Sequence, residues 1–224
     1  KTQILDILEK AYNIAISGRP GPVWIDIPLD IQGAIIENDY IENLTHLINE
    51  AKKPLIIVGN GIRLSDSYQL LNNFLLKTKI PVVTGPHSGV DAVDNTYEYY
   101  SGRIGMLGQL SSNKIVQEAD LLIVLGSRLP VKMTGYNLKD FSPNSKKIYV
   151  DIDVNEINKH AFNIDLPIVK DLKSFFNDIK DISFTYNISD WHLKVKKYRN
   201  SQEYVHPKHK ALQDYASFYY LINK

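Results

Sequence analysis

Three short stretches carry the residue types that hold a phosphorylated, sugar-bearing ligand: Gly59-Asn60-Gly61, Gly126-Ser127-Arg128 and Asp151-Ile152-Asp153. Each follows an apolar run of strand length, respectively Leu55 to Val58, Leu121 to Leu125 and Lys147 to Val150. Glycine at a strand tip lets a ligand approach the backbone. An arginine there can clamp a diphosphate with charge-assisted hydrogen bonds, and a strand-end carboxylate accepts from ribose hydroxyls. Asp171, just past a further apolar run from Leu166 to Val169, could reach the same ligand. A plainer role is open at every one of these positions. Gly59 to Gly61 is half of a dinucleotide fingerprint, with Leu64 where a third glycine would stand, and can be a tight strand-to-helix turn. Arg128 can close an ion pair. Asp153 can cap a helix beginning near Asn155, and Asp171 one beginning at Leu172.

A second glycine-rich stretch, Ser101 to Gln109, has three glycines in the seven residues from Gly102 to Gly108, with Met106 and Leu107 between them. That composition suits a backbone that wraps a flat ligand while two apolar side chains press on it, or a surface loop. Other chemistry is thinly represented. No Ser-His-Asp or paired-carboxylate pattern has a recognisable spacing. His206 and His209 flank Pro207 in what reads as a linker, a weak metal motif. Lys194, Lys196, Lys197 and Arg199 read as a solvated helix face.

Bulk composition narrows the classes. With 224 residues, 44% hydrophobic and 23% charged, the chain can bury a solid core. A net charge of +1 gives no reason to expect nucleic acid or an anionic membrane. The apolar runs are far too short to span a bilayer, and no leader pattern is present. Absence of cysteine excludes a disulfide framework and Cys-ligated zinc, and fits a cytoplasmic setting.

The elements that must position these residues follow from periodicity. Ile4, Leu8, Ala11, Tyr12 and Ala15 lie on one face of a helix from Ile4 to Ser17, ended by Gly18. Val23 to Ile27 reads as a short buried strand, and Gly33 to Tyr40 as a linker. From Ile41 helices alternate with strands: helix Ile41 to Ala51, a helix with Leu64, Tyr68, Leu71 and Leu75 on one face, strand Pro81 to Val83, and helices Ser112 to Glu118, Asn155 to His160 and Leu172 to Ile179. Near-continuously apolar strands spaced by helices predict a doubly wound, largely parallel, six-stranded Rossmann-like α/β sheet with helices on both faces, from about Ile41 to Ile182. Trp191 to Asn200 reads as a basic helix, and a last helix carries Leu212, Tyr215, Phe218, Tyr219 and Ile222.

Gly18 to Gln32, GRPGPVWIDIPLDIQ, resembles the closing strand and exit loop of the first domain of thiamine-diphosphate (ThDP) enzymes of the acetolactate synthase type. Ser101 to Arg128, SGRIGMLGQLSSNKIVQEADLLIVLGSR, and Lys147 to Lys159, KIYVDIDVNEINK, resemble the central domain of the same enzymes, in the same order. The resemblance implies a piece from the middle of a larger enzyme. Residues 1–33 would be the end of the pyrimidine-binding domain, 41–182 the central domain, and 190–224 a linker with the first helix of the diphosphate-binding domain. The parent would be a homodimer or homotetramer that uses ThDP and magnesium to decarboxylate a 2-oxo acid and form or break a C–C bond. Its catalytic glutamate and its Gly-Asp-Gly…Asn-Asn metal motif would lie outside this chain, which alone would be inactive. By position, FAD contacts would fall on Gly59, Gly61, Met106, Leu107, Gly126, Arg128, Thr134, Asp151, Ile152 and Asp171. After Arg128 the sequence departs from the synthase pattern, with Leu129-Pro130-Val131-Lys132 replacing an acidic pair and an arginine. That leaves FAD, ADP and a ligand-free structural spacer all open. A self-contained NAD- or nucleotide-binding enzyme, sirtuin-like, is disfavoured by the missing cysteines.

Overall fold

A computed structural model describes residues 4–28 and 40–200. The chain divides into two compact units, Lys1–Glu42 and Asn43–Lys224. In the first, helix α1 spans Ile4–Ile16 and ends where Gly18 takes a left-handed φ of +61°. The buried strand expected over Val23 to Ile27 is not formed. These residues take no regular structure and are largely solvent-facing, with Trp24 93% exposed. An apolar run becomes a strand only within a sheet, and the six-stranded sheet does not include this segment.

Helix α2, Tyr40–Glu50, leads into the second unit and buries Leu44 and Ile48. The unit is built on β1 (Pro54–Val58), β2 (Val82–Thr84), β3 (Tyr100–Arg103), β4 (Leu121–Leu125), β5 (Lys146–Asp151) and β6 (Leu166–Val169). They form one six-stranded sheet in the order β3-β2-β1-β4-β5-β6, every pair parallel. The chain walks outward from β1 to β3, returns to the centre, and walks outward again from β4 to β6. The switch point therefore lies between β1 and β4, where Pro54 faces Leu121 and Val58 faces Leu125. Both strands are buried along their whole length, as expected of central strands covered on two faces.

The covering helices are α3 (Gly61–Leu64), α4 (Tyr68–Thr78), α5 (Leu110–Glu118), α6 (Val131–Thr134), α7 (Val154–Asn158), α8 (Leu172–Ile179) and α9 (Ser189–Asn200). Packing of α4 on α8 closes one side and of α9 on α5 the other. Between the first pair, the rings of Phe74 and Phe176 meet at 5.8 Å.

Three expectations need correction. The continuous helix from Leu64 to Leu75 is two helices, because Asp66 adopts φ +52° between them, and Leu64 is left 81% exposed. The glycine-rich stretch from Ser101, read as a loop, begins inside β3. This edge strand pairs irregularly with β2 and bends at Gly102, φ +86°, so its sequence lacks an apolar run. The basic helix is not simply solvated. Trp191 is 2% exposed and donates from its indole nitrogen to the Pro54 carbonyl oxygen at 3.0 Å, and Lys194 pairs with Glu118. The last helix, most of the linker at 33–40 and the two linker histidines lie outside the described residues. Among the described residues no helix is long and apolar enough to cross a membrane.

Candidate functional site

Three loops meet at the carboxyl ends of β1, β4 and β5, beside the switch point, which is where open α/β sheets bind ligands. Backbone bonds extend the ladder beyond the strands. Gly59 N–H donates to Leu125 O at 3.0 Å, Gly61 N–H to Gly126 O at 2.9 Å, and Gly126 N–H to Val150 O at 2.9 Å. These contacts explain the glycines. A Cβ on Gly59 would lie 2.2 Å from Gly126 O, and one on Gly61 would lie 2.7 Å from Gly126 Cα. Gly126 itself has φ +57°. The two glycine turns thus need their glycines to approach each other.

The loops enclose a cleft of about 770 Å³. Of the ten positions singled out in the sequence, Gly61, Gly126, Arg128, Asp151, Ile152 and Asp171 line it. Gly59 sits behind its wall, against Gly126 and Ser127. Met106 and Thr134 line a separate hollow of about 330 Å³ formed where the Gly105 loop meets α6. There Met106 N–H donates to Lys132 O at 2.8 Å, and a Cβ on Gly105 would lie 2.3 Å from that same oxygen. Leu107 is 66% exposed and lines neither.

The acids divide as the sequence allowed. Asp153 caps α7 by accepting from Asn155 N–H at 2.8 Å, and Asp171 caps α8 by accepting from Lys173 N–H at 2.9 Å. Asp151 is 8% exposed and accepts from Asp153 N–H at 3.0 Å. Arg128 closes an ion pair with Glu156, the plainer of its two readings. That pairing, with a second from Lys159, holds the Glu156 carboxyl down to about 2. Ser88, also in the lining, is placed by the loop after β2, which Asp91 ties to Arg63 and to the Tyr68 hydroxyl.

Sequence reasoning missed Ser88, Glu156, Lys159 and Lys170 as lining residues. Glu156 had a signal, since Asp153-Val154-Asn155-Glu156 has the spacing of a capping box. That pattern reads as a helix start and says nothing of a cleft.

Residues 41–179 match the family model described as thiamine pyrophosphate enzyme, central domain. The chain belongs to that family. It is 39% identical over 168 residues to the acetolactate synthase isozyme 2 large subunit of Escherichia coli K12, covering 68% of this chain and 30% of that protein. It is 34% identical over 223 residues to the acetolactate synthase large subunit of Corynebacterium glutamicum, covering 88% of this chain and 35% of that protein. A probable acetolactate synthase large subunit of Methanococcus aeolicus is 33% identical over 208 residues, 83% of this chain and 34% of that protein. The chain spans about a third of the length of the curated relatives it matches. It is an acetolactate synthase-like central domain of the thiamine pyrophosphate enzymes, carried on the parallel six-stranded sheet described above.

Within this family domain, the residue set of the cleft fits the nucleoside end of a ligand. Carboxylates at two strand tips suit hydroxyl groups, and the exposed side chains of Leu64 and Ile152 offer apolar surface to a ring. For phosphates the set fits less well, because Arg128 and Lys159 already share Glu156.

Proposed function

We propose that this chain is the central, non-catalytic domain of an acetolactate synthase-like enzyme that uses ThDP and magnesium to act on a 2-oxo acid, and that its cleft receives the adenosine portion of FAD or of an adenine nucleotide. ThDP, where the parent binds it, supplies the carbanion chemistry. The residues of this chain bind and position. The observation that carries the reading is the convergence of six of the ten expected contacts in one cleft at the switch point. Asp151, with Asp153 beside it, would accept from ribose hydroxyls, and Arg128 would face the phosphates. The parent is expected to be a cytoplasmic homodimer or homotetramer. By this reading the isolated chain neither binds ThDP productively nor decarboxylates pyruvate.

A second reading, a ligand-free spacer that orients two catalytic domains, is favoured by the consumption of Gly59, Gly61 and Gly126 in loop packing and of Arg128 in an ion pair. Flavin fluorescence during titration of the chain with FAD, with a parallel thermal-shift series in ADP, separates the two. Saturable quenching or a saturable rise in Tm establishes a ligand site. Indifference to both ligands leaves the spacer.

A further inference from the structure

Glu156 holds both cations on one wall of the cleft. Its Oε1 takes the Arg128 guanidinium and its Oε2 the Lys159 ammonium. The Glu156 side chain is 12% exposed, against 75% for Arg128 and 40% for Lys159. The acid is therefore the anchored partner, and the two cations fold onto it. Lys170, the third cation of the lining, pairs with Asp178. Against these three cations the lining sets Asp151, Asp153, Glu156 and Asp171. A group of phosphates entering here would meet neutralised cations and a surplus of carboxylates, and like charges at close range repel.

Resting on the nucleotide reading, we propose that Glu156 sets the ligand charge that the cleft accepts, admitting the adenine-ribose end of a weakly anionic dinucleotide and rejecting phosphate-rich nucleotides. The pyrophosphate of a dinucleotide is a diester and carries less charge than the terminal phosphates of ADP or ATP, so it asks less of Arg128. The ring and ribose are met by Leu64, Ile152 and Asp151, none of which depends on a free cation. Glu156 stays ionised at any ordinary pH, because the Arg128 hydrogen bond and then Lys159 hold its carboxyl down to about 2. The selection is thus a fixed property of the cleft and no pH switch.

Isothermal titration of the whole chain with adenosine, FAD, ADP and ATP at one low ionic strength tests this. Wild type is expected to bind FAD more tightly than ADP, and ADP more tightly than ATP; the reverse order overturns the proposal without any variant. Glu156→Gln, which keeps the side-chain shape and removes the charge, should tighten ADP and ATP by about tenfold or more, equivalent to roughly 1.4 kcal/mol, and leave adenosine nearly unchanged. Adding Arg128→Ala to Glu156→Gln should abolish the gain. Equal affinity of wild type and Glu156→Gln for ATP contradicts the role given to Glu156. Should wild type bind none of the four, the nucleotide reading itself fails. Inorganic pyrophosphate then decides the charge gate separately: binding gained by Glu156→Gln supports it, and no gain overturns it.

Discussion

The hydroxyl of Tyr149 donates to the carbonyl oxygen of Ser127 at 2.5 Å, from a side chain with no exposed surface. The bond ties β5 to the turn after β4 that carries Gly126 and Arg128. The single phenolic proton is spent on Ser127, so His160 Nε2, 3.1 Å from the Tyr149 oxygen, must be the donor in that contact. One wall of the cleft is therefore held by a chain of three groups, the buried Ser127 and Tyr149 and the half-buried His160.

Tyr149→Phe removes the donor and leaves the Ser127 carbonyl, in a residue only 2% exposed, without its partner. The expected loss is about 1 to 3 kcal/mol of unfolding free energy, read from urea denaturation. Unchanged stability would mean that the contact contributes nothing net.

His160 stacks on Phe162 with ring centroids 4.6 Å apart, and burial followed by the neighbouring Lys159 charge lowers its pKa from the ordinary 6.5 to about 4. The unfolded chain then binds a proton at a pH where the folded chain refuses it. Stability should fall as pH drops from 6.5 toward 4 and level off below, because the proton uptake favours the unfolded state across that window. Glu156 acts at lower pH, its stabilising contribution being lost between the ordinary 4.5 and about 2. Replacing His160 by Gln should flatten the Tm profile in the upper window only. A profile identical to wild type there would contradict the assignment.

Gly59→Ala should cost about 1 to 3 kcal/mol or more, because its methyl would overlap Gly126 O and Ser127 Cα, both backbone atoms that cannot swing aside. A thermal melt of the variant beside wild type checks this. A stabilised variant, as expected where a glycine is merely a flexible surface turn, would contradict the packing argument.

Trp191→Ala should destabilise the second unit by about 3 to 5 kcal/mol, through the lost indole contact with Pro54 and the cavity left under α9. Chemical denaturation reads the loss. A near-neutral result would show that α9 is an appendage.

How much of this was legible beforehand follows from how each element is stabilised. The apolar runs at Leu55, Leu121 and Lys147 gave their strands away, because a central parallel strand is covered on both faces and admits little else. Tyr100–Arg103 had no such run, since an edge strand with a bend at Gly102 is specified by its pairing with β2. Val23 to Ile27 had the run and is not a strand of the sheet, since an apolar run alone does not say what it will pair with. At the site, Asp151 and Arg128 were legible because strand tips converge by topology. The commitment of Arg128 to Glu156 was not, because the two are brought together only by the return of α7 beneath the β4 turn. Met106 and Thr134, which the resemblance assigns to the same ligand as the cleft residues, line a hollow of their own beside the tight contact of Gly105 with Lys132.

Two-dimensional amide NMR of the isotopically labelled chain, titrated with FAD, reads ligand binding at the β1–β4 switch point residue by residue. Saturable shifts are expected at Gly61, Gly126, Arg128, Asp151, Ile152 and Asp171, with the α9 amides unmoved. An unperturbed spectrum at high FAD, or shifts that spare these six residues and gather elsewhere, would contradict a ligand site there.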